Sequence, residues 1–338
     1  LLIFPSRSFS QEKRYEMQKV TVKDRQAIDW FGFAASISGD YAVAAAPKRN
    51  IIKNRDTLPE VGVVYVFKKN KANRWEEIAR IDKPKPKGND IFGYGISKGV
   101  VIFNRTIAIG GKGEVYIYEI DEEDKIKYIQ KIQSEPFNKS FGAQVAINSD
   151  FLIIANTGQS VHIYKKGKNT WKPYQVVKTI DNGHHLYAYQ LAIDEYHSMI
   201  VSSGTTVNGE LIYYQLNKAN NGFEIVQQIK FPHSQLSSIS VTDRYMAICT
   251  GNAYLYKKDS SGRWAFHQNI DIGAIDGTCI SLTNRYLLIG AFGESLDNTN
   301  KIGGKNAGAA YLYENIDDKF VQIKKYTPIN RVSWDKFG

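Results

Sequence analysis

The alternation of hydrophobic and polar residues predicts β-strands along the whole chain. The clearest signal is a run of β-branched and aromatic residues that recurs at 63–67, 115–118, 161–164, 211–214, 253–256 and 310–313. Side chains that alternate in this way point to opposite faces of a strand, so each run is expected to be half-buried. A further strand follows each run and usually opens with an aromatic residue: Trp75, Trp171, Phe223, Trp264 or Phe320.

These strands belong to a unit that repeats. A Phe-Gly pair at 31–32 opens the first unit and returns at 92–93 and 141–142, with degenerate copies at 187–188, 235–236 and 276–277. Two strands around a tight polar turn follow each anchor. Units of about four strands and roughly 40–50 residues are the sequence signature of a β-propeller. The physical reason is that a single sheet cannot bury both of its faces, so neighbouring blades must cover each other.

We therefore predict an all-β fold, a β-propeller of four-stranded blades that spans residues 15–338 after an N-terminal extension, 1–14. The blade cores are predicted at 31–81, 92–132, 141–180, 187–231, 235–272 and 276–326. Residues 15–20 resemble the fourth strand at 320–325, and residues 327–338 repeat the start of a unit. We expect both segments to contribute to a closing seventh blade; the alternative is a closed ring of six blades.

The sequence FGFAASISGDYAVAAAP, followed by GVVYVF and a tryptophan, resembles the FG-GAP repeat of integrin-α-type propellers. Segments 44–47 and 289–292 stand where that family has its GAP signature. The resemblance implies a secreted or cell-surface repeat protein that acts in protein–protein interaction. The calcium loops of the family lie between the first and second strands. The matching turns here carry at most one carboxylate each, whereas a hard cation needs several oxygen ligands, so we expect neither calcium nor another cofactor.

Composition adds one feature, a strongly basic charge. The chain has 43% hydrophobic residues and a formal net charge of +10, and it lacks an apolar run long enough to span a bilayer. Lysines gather in the turns between third and fourth strands, which share one face of a propeller: Lys68, Lys69, Lys71, Lys165, Lys166, Lys168, Lys257 and Lys258. These lysines have two interpretations. They are solvated turn residues that protect strand edges from pairing, or they form a basic face for an acidic partner, a polyanion or an anionic membrane surface. Interleaved aromatic residues are missing, so specific nucleic-acid binding is not expected.

Two long loops between second and third strands, 48–61 and 292–307, lie on the opposite face of the predicted propeller. Function tends to gather on loops that a rigid scaffold holds in place. The candidate partner-binding residues are Lys48, Arg49, Arg55, Asp56, Glu294, Asp297, Asn298 and Lys301. Elaboration of the loops without function is the alternative.

The sequence shows no nucleophile elbow, metal-ligand spacing or phosphate loop. It favours a non-catalytic interaction or scaffold module that binds a protein partner within a larger chain or assembly. The alternative is a lectin-like propeller that binds carbohydrate through aromatic and amide residues in pockets between blades.

The remaining signals concern the compartment. Cys249 and Cys279 fall in predicted strands of adjacent blades and are expected to be buried free thiols, with a bridge as the alternative. Sequons place possible glycosylation at Asn104 and Asn138, although two matches also arise by chance. Residues 1–10 read either as the end of a secretory signal peptide or as a transit-type leader. We expect an extracellular or cell-surface location, with an organellar one as the alternative.

Overall fold

The structure is a computed structural model, and it describes residues 18, 20–53, 55–95, 98–178, 190–204, 209–231, 236–272, 278–296, 301–302, 304–328, 332–334 and 336–337. All regular secondary structure in these ranges is β-strand, as predicted. The strands form six antiparallel four-stranded sheets and one small hairpin.

The sheets are the blades of the propeller, and the strands of each blade follow one another along the chain. Blade 1 comprises β1 (Ala35–Ser38), β2 (Tyr41–Ala46), β5 (Val63–Lys69) and β6 (Trp75–Asp82), and the hairpin β3 (Ile51–Lys53) and β4 (Asp56–Leu58) projects from it. Blade 2 comprises β7 (Val100–Phe103), β8 (Thr106–Gly110), β9 (Glu114–Ile120) and β10 (Ile126–Gln133). Blade 3 comprises β11 (Phe141–Ile147), β12 (Phe151–Asn156), β13 (Ser160–Lys166) and β14 (Trp171–Lys178).

The second half of the ring repeats the pattern. Blade 4 comprises β15 (Leu191–Ile193), β16 (Ser198–Gly204), β17 (Gly209–Asn217) and β18 (Gly222–Phe231). Blade 5 comprises β19 (Ser238–Val241), β20 (Tyr245–Cys249), β21 (Ala253–Lys258) and β22 (Trp264–Ile270). Blade 6 comprises β23 (Thr278–Leu282), β24 (Tyr286–Ala291), β25 (Ala309–Ile316) and β26 (Lys319–Tyr326). The first strand of each blade contacts the first strand of the next, so these strands line the centre of the ring. The described residues form six blades, and the seventh blade is not confirmed.

The hydrophobic core lies between the blades. Each pair of successive blades, from 1 and 2 to 5 and 6, shares a cluster of buried apolar side chains. The rear face of blade 1 packs instead against residues that precede it, including Val20, Val22 and Phe31. Blades 6 and 1 share no such cluster among the described residues. The core therefore leaves a seam between blades 6 and 1.

Glutamines on the fourth strands join neighbouring blades. Gln175 of blade 3 donates through Nε2 to the Phe223 carbonyl of blade 4 at 3.0 Å and accepts the Phe223 N–H at 2.7 Å. The same two-way contact joins Gln130 to Trp171, Gln227 to Trp264 and Gln268 to Phe320. Gln18 makes this contact with Trp75, so it meets blade 1 as the fourth strand of a preceding blade would.

Glycine is required where one unit meets the next. Gly62 has φ +83°, and a Cβ there would lie 2.4 Å from the Phe92 carbonyl oxygen. The backbone of the second Phe-Gly anchor thus lies directly on the first blade, as the Phe92 N–H donates to the Val61 carbonyl at 2.8 Å. The sequence predicts that both cysteines are buried, whereas Cys249 is buried and Cys279 is exposed.

Gly62→Ala should destabilise the fold far more than Gly39→Ala. Both glycines have positive φ, but a Cβ at Gly39 meets nothing within 4 Å. The control should cost only the left-handed backbone penalty, about 1–2 kcal/mol. Gly62→Ala should add about 1–3 kcal/mol for the forced shift of packed backbone. Urea unfolding of both variants measures the difference, and equal losses would contradict the close-approach argument.

Candidate functional site

The loop at 48–61 is anchored at its base and exposed at its tip. Arg49 is only 4% exposed, and its guanidinium lies 2.8 Å from Asp24 and 3.2 Å from Asp29. Lys48 lies 3.2 Å from Glu60. Arg55 and Asp56 are exposed at the hairpin tip. Of the four residues predicted here, Arg49 holds the loop in place, Lys48 is half-buried and paired with Glu60, and Arg55 and Asp56 are exposed.

The loop at 292–307 has a similar internal anchor. Glu294 is 7% exposed; its carboxylate accepts the Leu296 N–H at 2.6 Å and the Tyr311 hydroxyl, and Lys325 Nζ lies 3.4 Å away. Lys301 is exposed. Asp297 and Asn298 lie outside the described residues. Glu294, predicted as a partner contact, is therefore turned inward.

Asp24, which pairs with Arg49, and Glu294 each belong to a recurring trio of a tyrosine, a carboxylate and a cation. In blade 2, the Tyr116 hydroxyl donates to Glu114 at 2.7 Å, and Lys131, directly across the strand pair, donates to the same carboxylate at 2.8 Å. The trio of blade 1 is Tyr65, Asp24 and Arg80, and that of blade 6 is Tyr311, Glu294 and Lys325. Sequence reasoning missed these groups, although the alternating tyrosines of the third strands signalled their position.

The hydrogen bonds and the cations of the trios favour the ionised form of their carboxyl groups. Burial alone would raise the pKa of the Glu294 carboxyl, but the Tyr311 and Leu296 hydrogen bonds and the Lys325 cation hold it below its ordinary value. The pKa of Glu114 is lowered in the same way by Lys131, Tyr116 and Lys83 against the effect of burial. Burial and the bonded carboxylate together raise the pKa of the Tyr116 hydroxyl. Each trio is thus an ionised, hydrogen-bonded group at neutral pH.

Large apolar side chains are exposed near the long loops of blades 1 and 6, the two blades that flank the seam. Next to blade 1, Trp30 is 42% exposed and stacks on Phe33, which stacks on Tyr94, both at 5.2 Å between ring centroids. Ile52 on the hairpin is 73% exposed. Next to blade 6, the exposed apolar residues are Phe292, Leu296, Ile302, Val332 and Trp334. We call these residues with Trp30, Phe33 and Ile52 the seam patch.

On the lysine face, part of the positive charge is compensated between blades. Lys68 Nζ lies 2.6 Å from Asp124 in the hairpin turn of blade 2, which also accepts the Tyr41 hydroxyl at 2.6 Å. The same arrangement joins blades 5 and 6 through Lys257, Tyr245 and Asp318. These two lysines therefore join blades.

The other lysines of this face differ in their contacts and in their exposure. Lys69 lies 3.1 Å from Asp40, and Lys258 lies 3.9 Å from Asp194 and 4.7 Å from the Trp264 ring centroid. Lys165 and Lys166 are exposed but lie over the rings of Tyr174 and Trp171, respectively. Lys71 and Lys168 are simply exposed. The basic face is less uniformly positive than the sequence suggests.

The two sequons differ in access. Asn104 is exposed, with φ +51°, in the turn between β7 and β8. Asn138 is half-buried, and its side-chain oxygen accepts the Ser140 N–H at 2.9 Å. It lines a cavity of about 670 Å³ between blade 3 and the segment 134–139 that joins it to blade 2.

No three histidine, cysteine or acidic side chains among the described residues are grouped as a metal site would require. Within the same part of the chain, no helix has the length and apolar character needed to cross a bilayer.

The ring of four-stranded sheets with loops on both faces defines a β-propeller. Residues 15–67 match the family model of the FG-GAP repeat, and this match together with the six blades supports an FG-GAP β-propeller. No curated protein sequence matches the chain significantly.

Solved structures are similar in fold. A structural-genomics target protein from Lactobacillus plantarum has a TM-score of 0.60 at 10% identity, over 89% of this chain and 85% of that one. A protein from Bacteroides fragilis, provisionally named a 6-phosphogluconolactonase, has a TM-score of 0.55 at 11% identity, over 78% of each chain. At such identities the similarity concerns the fold alone.

Tyr311→Phe should lower the free energy of unfolding by about 1–2 kcal/mol at neutral pH, because buried Glu294 loses a donor. Tyr164→Phe is the matched control, since burial is the cause of its raised pKa and no carboxylate is bonded to it. Urea unfolding at pH 7 makes the comparison. An equal loss in both variants would show that the trio contributes no specific stability.

The same trio predicts a pH dependence. The folded pKa of Glu294 is lowered, so its stabilising contribution is present above the unfolded value and is lost as pH falls through the folded value. The stability difference between wild type and Glu294→Gln should therefore shrink between about pH 5 and pH 3. A difference that is constant over this range, measured by urea unfolding, would contradict the assignment.

Proposed function

We propose that this propeller is a non-catalytic scaffold that binds a protein partner through its long-loop face, within a larger chain or assembly. The observation that supports this proposal is the seam patch. Exposed apolar groups that cluster beside polar loops mark interaction surfaces. Trp30 and Trp334 are large aromatic groups of the kind that dominate binding energy.

The charge around the patch indicates the character of the partner. Arg55, Asp56 and Lys301 border it, while Lys48 pairs with Glu60, so a partner with an apolar centre and a rim that carries both charges would be complementary. The lysine face is the weaker candidate, because Lys68 and Lys257 already pair with acids of the next blade. We therefore place the main contact on the long-loop side.

Affinity capture from the native source, with crosslinking and mass spectrometry, tests this proposal. Crosslinks should join Lys48 or Lys301 to one defined protein. Ile52→Asp should abolish capture, whereas Ile37→Asp should not, since Ile37 is 66% exposed at the β1–β2 turn on the other face. Both changes should leave the unfolding free energy within about 0.5 kcal/mol. Undiminished capture by Ile52→Asp would refute the proposed surface.

We further propose that the seam holds a seventh blade. Phe337 lies on blade 6 as Phe92 lies on blade 1: its N–H donates to the Ala307 carbonyl at 3.0 Å, and a Cβ at Gly308 would lie 2.0 Å from its oxygen. Leu288 is 40% exposed on the seam side of blade 6, while its counterparts Val43 and Ile153 are 1% and 0% exposed. A sheet begun by Phe337 and ended near Gln18 would cover it.

Leu288→Lys tests the seventh blade. In the 338-residue chain the change should alter the unfolding free energy by less than about 0.5 kcal/mol. In a form whose seventh blade is complete, the same change should cost about 2–4 kcal/mol, because it buries an unpaired charge. Ala247→Lys, at the equivalent position in blade 5, should be destabilising in both. A small effect of Leu288→Lys in every form would exclude a covering sheet.

An extracellular or cell-surface location remains our proposal, with an organellar one as the alternative. The exposure of Asn104 is compatible with glycosylation there. Binding of carbohydrate is the second candidate function, and one observation favours it: the cavity between blade 3 and the segment 134–139.

A further inference from the structure

Blades 3, 4 and 5 lack the trio, with Ile212 opposite Gln228 in blade 4 and Tyr254 opposite Asn269 in blade 5; blade 3 differs from blade 2 at all three positions. His162 stands opposite Val176, where blade 2 has Tyr116 opposite Lys131. Ser160 opens the same strand where blade 2 has Glu114. Three smaller or less charged side chains thus replace the tyrosine, the cation and the acid. Departures from a repeat that leave the fold intact point to sites under a different constraint.

The replacements leave a space. A cavity of about 670 Å³ lies between blade 3 and the segment 134–139 that joins it to blade 2, and its lining includes these polar residues: Ser134, Asn138, Asn156, Gln159, Ser160 and His162. Phe137, which is 55% exposed, contributes an aromatic ring. This volume is in the range of small-molecule sites, which combine an apolar wall with a few placed polar groups.

The polar groups are held in fixed positions. Asn156 is 6% exposed, and its Nδ2 donates to Gln159 at 3.0 Å while its Oδ1 has no hydrogen-bond partner among the described residues. Ser160 Oγ lies 3.0 Å from His162 Nε2. Burial lowers the pKa of His162, so the ring is neutral at pH 7 and offers one donor and one acceptor. An unpaired buried amide oxygen is costly unless a ligand or water satisfies it.

The charge of the cavity differs from that of blade 2. Lys139 and Lys178 line it, with Glu135 as the single acid. Lys178 stands opposite Ser160, beside the place where blade 2 carries the Glu114 carboxylate. The cavity therefore has an excess of positive charge and lacks the internal carboxylate of the trios.

We propose that this cavity binds a small polyhydroxylated carboxylate, such as a sugar acid or the acidic end of a saccharide. The ligand carboxylate takes the place of the Glu114 group and pairs with Lys178. The ligand hydroxyls bond Asn156, Ser160 and His162, and one sugar face packs on Phe137. This inference rests on the carbohydrate candidate and is independent of the seam patch.

Titration calorimetry with D-glucuronate and D-glucose on the full chain tests the proposal. Glucuronate should bind, and glucose should bind at least about tenfold more weakly. Lys178→Met should remove this preference, whereas Lys172→Met, at an exposed position of the same strand outside the cavity, should not. Equal binding of the two sugars would overturn the acidic assignment and leave a neutral carbohydrate site. Absence of binding by both up to about 10 mM would overturn the site itself.

A graft provides the structural control. Ser160→Glu, His162→Tyr and Val176→Lys together install the trio of blade 2 and fill the cavity with an arrangement that the same fold already accepts. The variant should keep its urea unfolding transition and lose glucuronate binding. Binding that survives in the folded graft would show that the ligand lies elsewhere.

Discussion

Every blade of this protein must bury both faces of a sheet, and this requirement determines most of the structure. A four-stranded sheet exposes two apolar faces, and only a neighbour at close distance removes them from water. The distance between neighbouring blades is set where the backbone of one unit contacts the backbone of the previous unit. These contacts lie at Gly62, which meets Phe92, and at Gly308, which meets Phe337. The glycines are therefore needed by the packing, and the apolar clusters follow from it.

The same requirement explains where polar chemistry is found. Polar groups at the rim of an interface between blades must be paired or they are costly. Blades 1, 2 and 6 meet this condition internally, with a tyrosine, an acid and a cation. Blade 3 does not, because His162, Ser160 and Val176 are too small or too weakly charged to close the network. Blade 3 has a cavity in its place, with an Asn156 oxygen that no described residue pairs, and the ligand that we propose would supply the missing acid.

Much of the fold could be predicted from the sequence, because a period of two in third strands such as 63–67 and 161–164 is a direct consequence of strand geometry. The boundaries were less exact: the first strand of blade 1 begins at Ala35, after the Phe-Gly turn. The seventh blade stays a prediction, since repeats indicate units but not how a ring closes.

The site was harder to predict for a physical reason. Charged residues in loops are normally exposed, so Arg49 and Glu294 read as surface contacts. Their partners Asp24 and Tyr311 become neighbours only in the folded chain. Arg55 and Asp56, whose surroundings involve only a local hairpin, are exposed as the sequence suggested. The sequence pattern therefore predicts the exposure of a residue whose contacts are local. It fails for a charged residue whose ionic or hydrogen-bonding partner is distant along the chain.

The pairing of charges on the lysine face follows from the packing of neighbouring blades. A lysine in one hairpin turn lies next to the hairpin turn of the next blade, where an acid such as Asp124 or Asp318 can reach it. Ion pairs of this kind join neighbouring blades and lower the positive electrostatic potential of that face. On the opposite face Arg49 and Glu294 pair at the bases of the long loops, and large apolar side chains are exposed beside them. Internal pairing thus removes much of the charge from both faces, and the exposed apolar side chains are what distinguishes the long-loop face.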